Sequence, residues 1–413
     1  MFLLLYHFGI KVIAFKSPKA KLWLAGRQNY YQKLQNWKAT LQQNDKIIWV
    51  HCASLGEFEQ GRPLIEYIKK NHAEIKILLT FFSPSGYEVR KNYNQADAVF
   101  YLPLDSKKNA NQFIEIVQPN FVIWVKYEYW YYYLTTLKAK NIPVFLVSAK
   151  FRESQPFFKW YGKLYIKILQ SFTHIFLQND ETSLELLQQI NIKNVTAVGD
   201  TRFDRVAEII HTKNNLPAAI VQFCTNQKVI VAGSTWQEDE ELLVHYANVH
   251  PTIKFIIAPH DVDVERIAEV KNVFKNATTL SEMLQSKAAT QVLIIDNIGM
   301  LASLYKIADI TFIGGGFNSS GIHNVLEAAA YGKPVIFGPI YEKFAEAVDL
   351  VTLGGAFSTD TSIALEALLD KLFNDTTLLQ NAGAVSENYV KNMQGATNKI
   401  MQYFYENRLF TKL

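Results

Sequence analysis

Hydrophobic and polar positions fall into alternating blocks along this chain. From Lys46 onward, short runs of Val, Ile, Leu and Phe recur between longer stretches with helical spacing. In the first half such runs predict strands at 47–51, 75–81, 98–101, 121–125, 144–148 and 174–177, with a shorter one at 195–198. Amphipathic stretches at 59–71 and 106–116 lie between them. Nearly continuous apolar strands separated by helices specify a parallel sheet covered on both faces. The same grammar resumes at 229–232, 254–258, 292–295, 310–313 and 334–337, with helical stretches at 239–248 and 262–274. Between the two series, 206–213 reads as a helix and the chain around Pro217 as looser, the expected hinge. The pattern therefore predicts an α/β protein of two doubly wound domains facing a cleft, with ligands beyond the carboxyl ends of the strands. Its expected division is a membrane-associating segment at 1–45, a first domain at 46–204, a hinge at 205–225, a second domain at 226–385, and a helical segment at 386–413 that crosses back to the first. No short-period repeat is present, which excludes solenoids and propellers.

Composition narrows the class. With 413 residues, 49% hydrophobic and 19% charged, the chain has room for two or three cores and lies far from the disordered class. Its two cysteines, Cys52 and Cys224, are too few for a disulfide framework or a Cys-rich zinc site and point to a reducing compartment. A net charge of +4 is mild, and no nucleic-acid motif occurs. That charge is uneven, however. Lys11, Lys16, Lys19, Lys21, Arg27, Lys33 and Lys38 fall within residues 1–44, which contain no acid. The opening Met1–Phe15 is apolar apart from His7 and Lys11. It is shorter than the ~20 residues that span a bilayer, and its charges follow the apolar run, the reverse of a secretory signal. An apolar segment followed by cations reads as an interfacial anchor on anionic lipid; a helix packed on the protein's own core is the alternative.

Strand-to-helix turns carry the candidate chemistry. Trp49–Glu57 runs into Ser54-Leu55-Gly56-Glu57 at a helix start. Ser54 reads as the helix cap and Gly56 permits close ligand approach. Glu57 is either a first-turn carboxylate complementing the helix dipole or a general base. Thr80–Gly86 holds Ser83, Ser85 and Gly86, which suit an anionic or sugar ligand, or simply a capped turn. Trp124–Trp130 sets Glu128 among aromatics, where a carboxylate is costly unless paired or functional. The sharpest pattern is Ile313–Glu327. Gly314-Gly315-Gly316 free the backbone to cradle phosphate, and a helix expected from about Ile322 points its amides at the anion. On that helix His323 and Glu327 would share a face, with Glu327 placed to accept from ribose hydroxyls. This stretch is neither a P-loop nor the dinucleotide fingerprint. Ser234-Thr235-Trp236 and Ala258-Pro259-His260 are supporting loops. Lys150, Arg152, Lys159, Lys163 and Lys167 interleave with Phe157, Phe158, Trp160 and Tyr161, which marks either contact with an anionic amphiphile or a solvated helix face.

In this order, and with Ser148-Ala149-Lys150 and Gly199-Asp200-Thr201-Arg202-Phe203-Asp204 between them, these segments resemble the 3-deoxy-D-manno-oct-2-ulosonic acid (Kdo) transferases of lipopolysaccharide synthesis, from about Lys46 to about Leu350. The resemblance implies a GT-B glycosyltransferase of two Rossmann-like domains, inverting, metal-independent and without a cofactor. It implies CMP-Kdo as donor and a lipid A precursor (lipid IVA) as acceptor, on the cytoplasmic face of the inner membrane. Glu57 takes the role of base, with Glu128 as a second catalytic candidate. The donor-side set is Arg202, Ser234, Thr235, His260, Gly315, Gly316, His323, Asn324 and Glu327. The acceptor-side set is Ser54, Gly56, Ser83, Ser85, Gly86, Lys150 and Arg152. The chain departs from many relatives at Lys126, where a second Glu is common, and at Tyr131, Arg202 and Ala258, so the role of Glu128 stays open. In the expected mechanism Glu57 deprotonates an acceptor hydroxyl as it attacks the anomeric carbon, and cations such as Arg202 with the amides of 315–321 stabilise departing CMP. The rival readings are a GT-B enzyme using a UDP-sugar and a non-catalytic, membrane-associated binding protein on the same scaffold.

Overall fold

Odd and even positions of Ile47–Cys52 are both apolar, so the strand they form needs a core on each face. The computed structural model, which describes residues 9–178, 181–211, 216–285 and 290–410, supplies both. Trp49 joins Phe113, Trp124 and Tyr133 on one side of the first sheet. On the other, Ile48 and Val50 join Phe58, Leu64 and Phe145. The chain forms two units, one of residues 1–205 with 394–413 and one of 206–393.

The first unit carries β1 (Ile47–Cys52), β2 (Lys76–Phe81), β3 (Ala98–Tyr101), β4 (Phe121–Val125), β5 (Val144–Ala149), β6 (His174–Leu177) and β7 (Val195–Ala197). They form a parallel sheet in the order β3-β2-β1-β4-β5-β6-β7. The second carries β8 (Lys228–Thr235), β9 (Ile253–Pro259), β10 (Ala277–Thr279), β11 (Val292–Ile294), β12 (Ile310–Ile313), β13 (Val335–Phe337) and β14 (Ala356–Ser358). These too are parallel, in the order β10-β11-β9-β8-β12-β13-β14. Both sheets are doubly wound. The edge strands β10 and β14 have no counterpart in the sequence reading, because each is three residues long and carries no apolar run.

The N-terminal segment divides between the two readings given it. Residues 1–8 lie outside the described residues. The helices Pro18–Gly26 and Tyr30–Ala39 bury Trp23, Tyr30 and Leu34 against the first sheet. Arg27 pins them, donating to the backbone oxygens of Leu102 (3.1 Å), Phe82 (2.8 Å) and Trp23 (3.0 Å). Val12, Ile13 and Phe15 remain exposed. No helix among the described residues is long and apolar enough to cross a membrane.

Two boundaries differ from expectation. The helix Thr201–His211 begins five residues before 206 and carries the chain from one unit to the other at Arg205–Val206, so the passage lies inside a helix. At the other end, 386–410 is not one helix. Thr376–Asn392 belongs to the second unit, and Gly395, at φ 108°, ends the break before Ala396–Glu406. Asp204 accepts from the amides of Gly395 and Thr397, both at 2.6 Å, and Ile400, Met401 and Phe404 then pack in the first core.

Candidate functional site

The strand order reverses between β1 and β4 in the first unit and between β8 and β12 in the second, where β10 and β11 are also transposed at the edge. At such a point the chains leaving neighbouring strands diverge and open a crevice at their carboxyl ends. The motif-bearing turns of each unit occupy these positions.

In the first unit, Ser54 caps the helix Leu55–Asn71 and its amide donates to Glu57 Oε2 at 3.0 Å. Burial raises the pKa of Glu57, opposed by the amides of Ala53 and Ser54 and by the charge of Lys126. Across the reversal, Lys126 takes φ 65° as the chain leaves β4 and donates its amide to Val147 O at 3.0 Å. The Trp124 indole donates to the backbone oxygen of Glu128. Burial, and then the charge of Glu57, push Glu128 up to about 7. Two carboxylates thus face one crevice in different environments, the arrangement by which a protein separates a base from an acid. Burial also raises Tyr127, and Arg152 and Arg202 are the cations that oppose the rise.

Arg202 was expected on the donor side, yet it belongs to the first unit. Its guanidinium reaches Asp200 Oδ2 at 2.8 and 2.9 Å, and Gln178 donates to the same oxygen at 2.8 Å. Thr201 then joins the turns, donating to Gln60 O at 2.6 Å and lying 3.1 Å from Ser148 Oγ. Gly56 is exposed, Lys150 half-buried and Arg152 exposed. The amide of Ser83 donates to Ala53 O at 2.7 Å, and the Ser83 and Ser85 hydroxyls lie 3.0 Å apart. Gly86 is used for packing: a Cβ there would meet the Phe81 ring at 2.2 Å.

In the second unit, Asp239 Oδ2 gathers the amides of Trp236 (2.8 Å) and Gly315 (2.9 Å), joining the turns after β8 and β12. Burial pushes this carboxylate up to about 6. The Trp236 indole donates to His323 Nε2 at 3.1 Å. His260 stacks between them, its ring centroid 4.7 Å from Trp236 and 4.5 Å from His323. Burial, and then His260, hold His323 down at about 4. It is therefore neutral at pH 7, and accepting at Nε2 leaves its proton on Nδ1. The half-buried Glu327 lies beyond this platform, with Asn324 Nδ2 donating to it at 3.4 Å.

Several donor-side expectations change here. No helix starts near Ile322. The helix is Leu326–Ala330, so His323 and Glu327 share no helical face, and His323 is held by its amide on Gly314 O at 3.0 Å. The triple glycine does not present an open cradle. A Cβ on Gly314 would lie 2.3 Å from Ser234 O, and one on Gly316 would lie 2.6 Å from Gly338 Cα. Gly315, at φ 95°, has given its amide to Asp239. Thr235 is fully buried and donates to Glu240 (2.8 Å), which also holds Arg266 at 2.5 Å. Ser234 keeps its place at the reversal with φ 55°.

Sequence reasoning did not select Trp236, Asp239, Tyr127 or Asp200. For Asp239 the usable signal is an acid in the first turn of a helix, where it accepts from the Trp236 amide; Trp236 itself gives no such signal. Tyr127 and Asp200 become visible only when β4 and β7 lie in one sheet.

Residues 27–205 match the family model described as 3-deoxy-D-manno-octulosonic-acid transferase (kdotransferase). The chain is 26% identical over 410 residues to a 3-deoxy-D-manno-octulosonic acid transferase of Haemophilus influenzae, covering 95% of this chain and 93% of that one. It is 28% identical over 325 residues to the Aquifex aeolicus protein of the same name, covering 77% and 83%. A bifunctional glycosyltransferase/methyltransferase of Fusobacterium nucleatum is 27% identical over 382 residues, and there the chain spans 56% of the relative's length. Among solved structures, UDP-GlcNAc 2-epimerase of Neisseria meningitidis aligns with TM-score 0.61 at 15% identity, over 87% of this chain and 100% of that one. A glycosyltransferase of Rickettsia africae aligns at 0.54 with 15% identity, over 88% and 98%. The structural likenesses establish the fold, two doubly wound units of the GT-B class.

Proposed function

We propose that this chain, which belongs to the Kdo transferase family and is a glycosyltransferase, moves Kdo from CMP-Kdo to a lipid A precursor. The observation that carries the reading is the placement of Glu57 and Glu128 at the strand-order reversal of the first sheet, with their pKa values set by different surroundings. Glu57, where backbone amides and Lys126 oppose the rise in pKa that burial causes, acts as base on the acceptor hydroxyl. Its attack on the anomeric carbon of Kdo breaks the bond to CMP, and the proton passes to Glu57. Glu128, raised to about 7, is protonated in a large fraction of molecules near neutral pH, which reduces the second negative charge beside the base.

The second unit takes the donor. The Trp236–His260–His323 platform offers aromatic faces to a base or sugar, and Glu327 with Asn324 offers polar partners for hydroxyls. The cytidine nucleotide is favoured over a uridine one by the family rather than by any single contact. Peripheral attachment to the inner leaflet is supported by Val12, Ile13 and Phe15, exposed among Lys11, Lys16 and Lys19, and by Trp160, which is 92% exposed beside Lys159 and Lys163.

The test is purified protein with CMP-Kdo generated in situ and a tetra-acylated lipid A precursor, with products read by mass spectrometry. A mass gain of one or more Kdo residues supports the reading, and no gain refutes it. Stabilisation by UDP but not CMP in a thermal-shift assay would favour a UDP-sugar donor.

A further inference from the structure

We propose that the first unit holds an acyl chain of the lipid acceptor in a cavity pair centred on Trp23, beneath the N-terminal helices. The inference rests on the acceptor assignment above and adds where the lipid part is bound. One cavity, of 360 Å³, is lined by Trp23, Tyr30, Tyr31, Pro103 and Leu104, with Arg27, Asn29, Gln32 and Asn109 as its polar members. The other, of 270 Å³, also borders Trp23 and is lined by Ile10, Ala20, Phe82 and Pro84, with Ser17, Lys19 and Ser83 as its polar members. The walls are mainly apolar carbon. A methylene chain can lie along the apolar part of these walls without a hydrogen-bond partner. Tyr30 is 5% exposed and its hydroxyl has no hydrogen-bond partner. That position suits the carbonyl or hydroxyl of an acyl group better than a fully packed core.

The cavities are continuous with the candidate catalytic turns. Trp23 meets Phe82 edge-on at 5.8 Å, and Phe82 meets Trp130, two residues beyond Glu128, at 4.9 Å. The amides of Phe82 and Ser83 both donate to Ala53 O, at 3.2 and 2.7 Å, beside the Ser54–Glu57 turn. An amphiphile with its chain along Trp23 would therefore bring its headgroup to the carboxylates. Residues 9–44 contain lysines and no acid, so the rim favours an anionic head. The occupant is accordingly an acyl chain of a phosphorylated glycolipid, and the site reads acylation as well as sugar.

Two measurements decide the proposal. Ala20→Phe and Leu104→Phe fill the cavities without touching Glu57 or Glu128. Each should lower the preference for acylated over deacylated acceptor, as the ratio of kcat/KM values, by ~10-fold. An unaltered preference in both overturns the site. Separately, 11-bromoundecanoate below its micellar range should quench part of the tryptophan emission of the full chain. That part should be lost in Trp23→Phe and weakened in Ala20→Phe. Equal quenching in all three proteins, or none, overturns the site. If the unmodified chain transfers nothing to either acceptor, the functional reading fails and the quenching still decides the cavity.

Discussion

The charge of Glu57 raises the pKa of Glu128 across the strand-order reversal of the first sheet. Glu57 stands in the first turn of a helix, where amides and Lys126 favour its ionised form. Glu128 lies after β4, where burial dominates. Burial raises both residues, but at Glu57 backbone amides and Lys126 oppose the rise while at Glu128 the charge of Glu57 adds to it, and the predictions for the first unit follow from that difference.

Replacing Glu57 with Gln should lower turnover by ~10²–10⁴-fold while nucleotide affinity stays within a small factor, since the base acts only in the chemical step. Steady-state rates beside CMP titration check this. Gln keeps an oxygen that can accept from the Ser54 amide, so the melting temperature of the variant should change little.

Glu128 sets a pH dependence of stability. Its folded pKa of about 7 lies above the ordinary glutamate value, so its favourable contribution is fully present below that ordinary value and is lost as pH rises through 7. Glu128→Gln should therefore stabilise the chain at pH 8, on the order of 1–3 kcal/mol, and change little at pH 4. Urea unfolding at the two values decides it; equal effects at both would contradict the assignment.

Lys126 lowers the pKa of Glu57 and so helps keep the base ionised. Lys126→Met should move the acid limb of the kcat/KM profile to higher pH by about one unit or less, while Lys126→Arg keeps it in place. A lower plateau with an unmoved limb would show that Lys126 acts otherwise.

His323 is held at about 4, below the ordinary histidine value, by burial and by His260. Stability from keeping it neutral is present above that ordinary value and is lost as pH falls through 4. His323→Phe should flatten the acid side of the stability curve between about pH 6.5 and 4. It should also weaken nucleotide binding at pH 7, because the ring pair with His260 and the Trp236 hydrogen bond are altered.

Gly316→Ala separates close backbone packing from phosphate cradling. Its Cβ would sit 2.6 Å from Gly338 Cα and N, which are backbone atoms that cannot turn aside. The expected cost is ~1–3 kcal/mol or more of stability, measured by denaturant unfolding. Undiminished stability with lost nucleotide binding would restore the cradle.

The sequence by itself determined the two parallel sheets, since runs such as Phe121–Val125 and Ile310–Ile313 are apolar at every position and leave no face for water. It also picked out the turns that the structure places at the two strand-order reversals, and Ser54 as the cap before Glu57. It did not show β10 or β14, whose pairing depends on a neighbouring strand rather than on their own composition. Nor did it show what the glycines are for: Gly314 and Gly316 are small because other backbone passes close to them, and that backbone, at Ser234 and Gly338, is distant in the chain. The helix after them starts at Leu326, and the amides of Ile322 and His323 before it bond Ile340 O and Gly314 O, both supplied by other segments. Only the tertiary structure put Arg202 beside Asp200 in the first unit and turned Lys126 through a positive φ beside Glu57. Periodicity is a local property and survives in one dimension. Close approach, charge coupling and desolvation depend on distances that exist only once the strands are side by side.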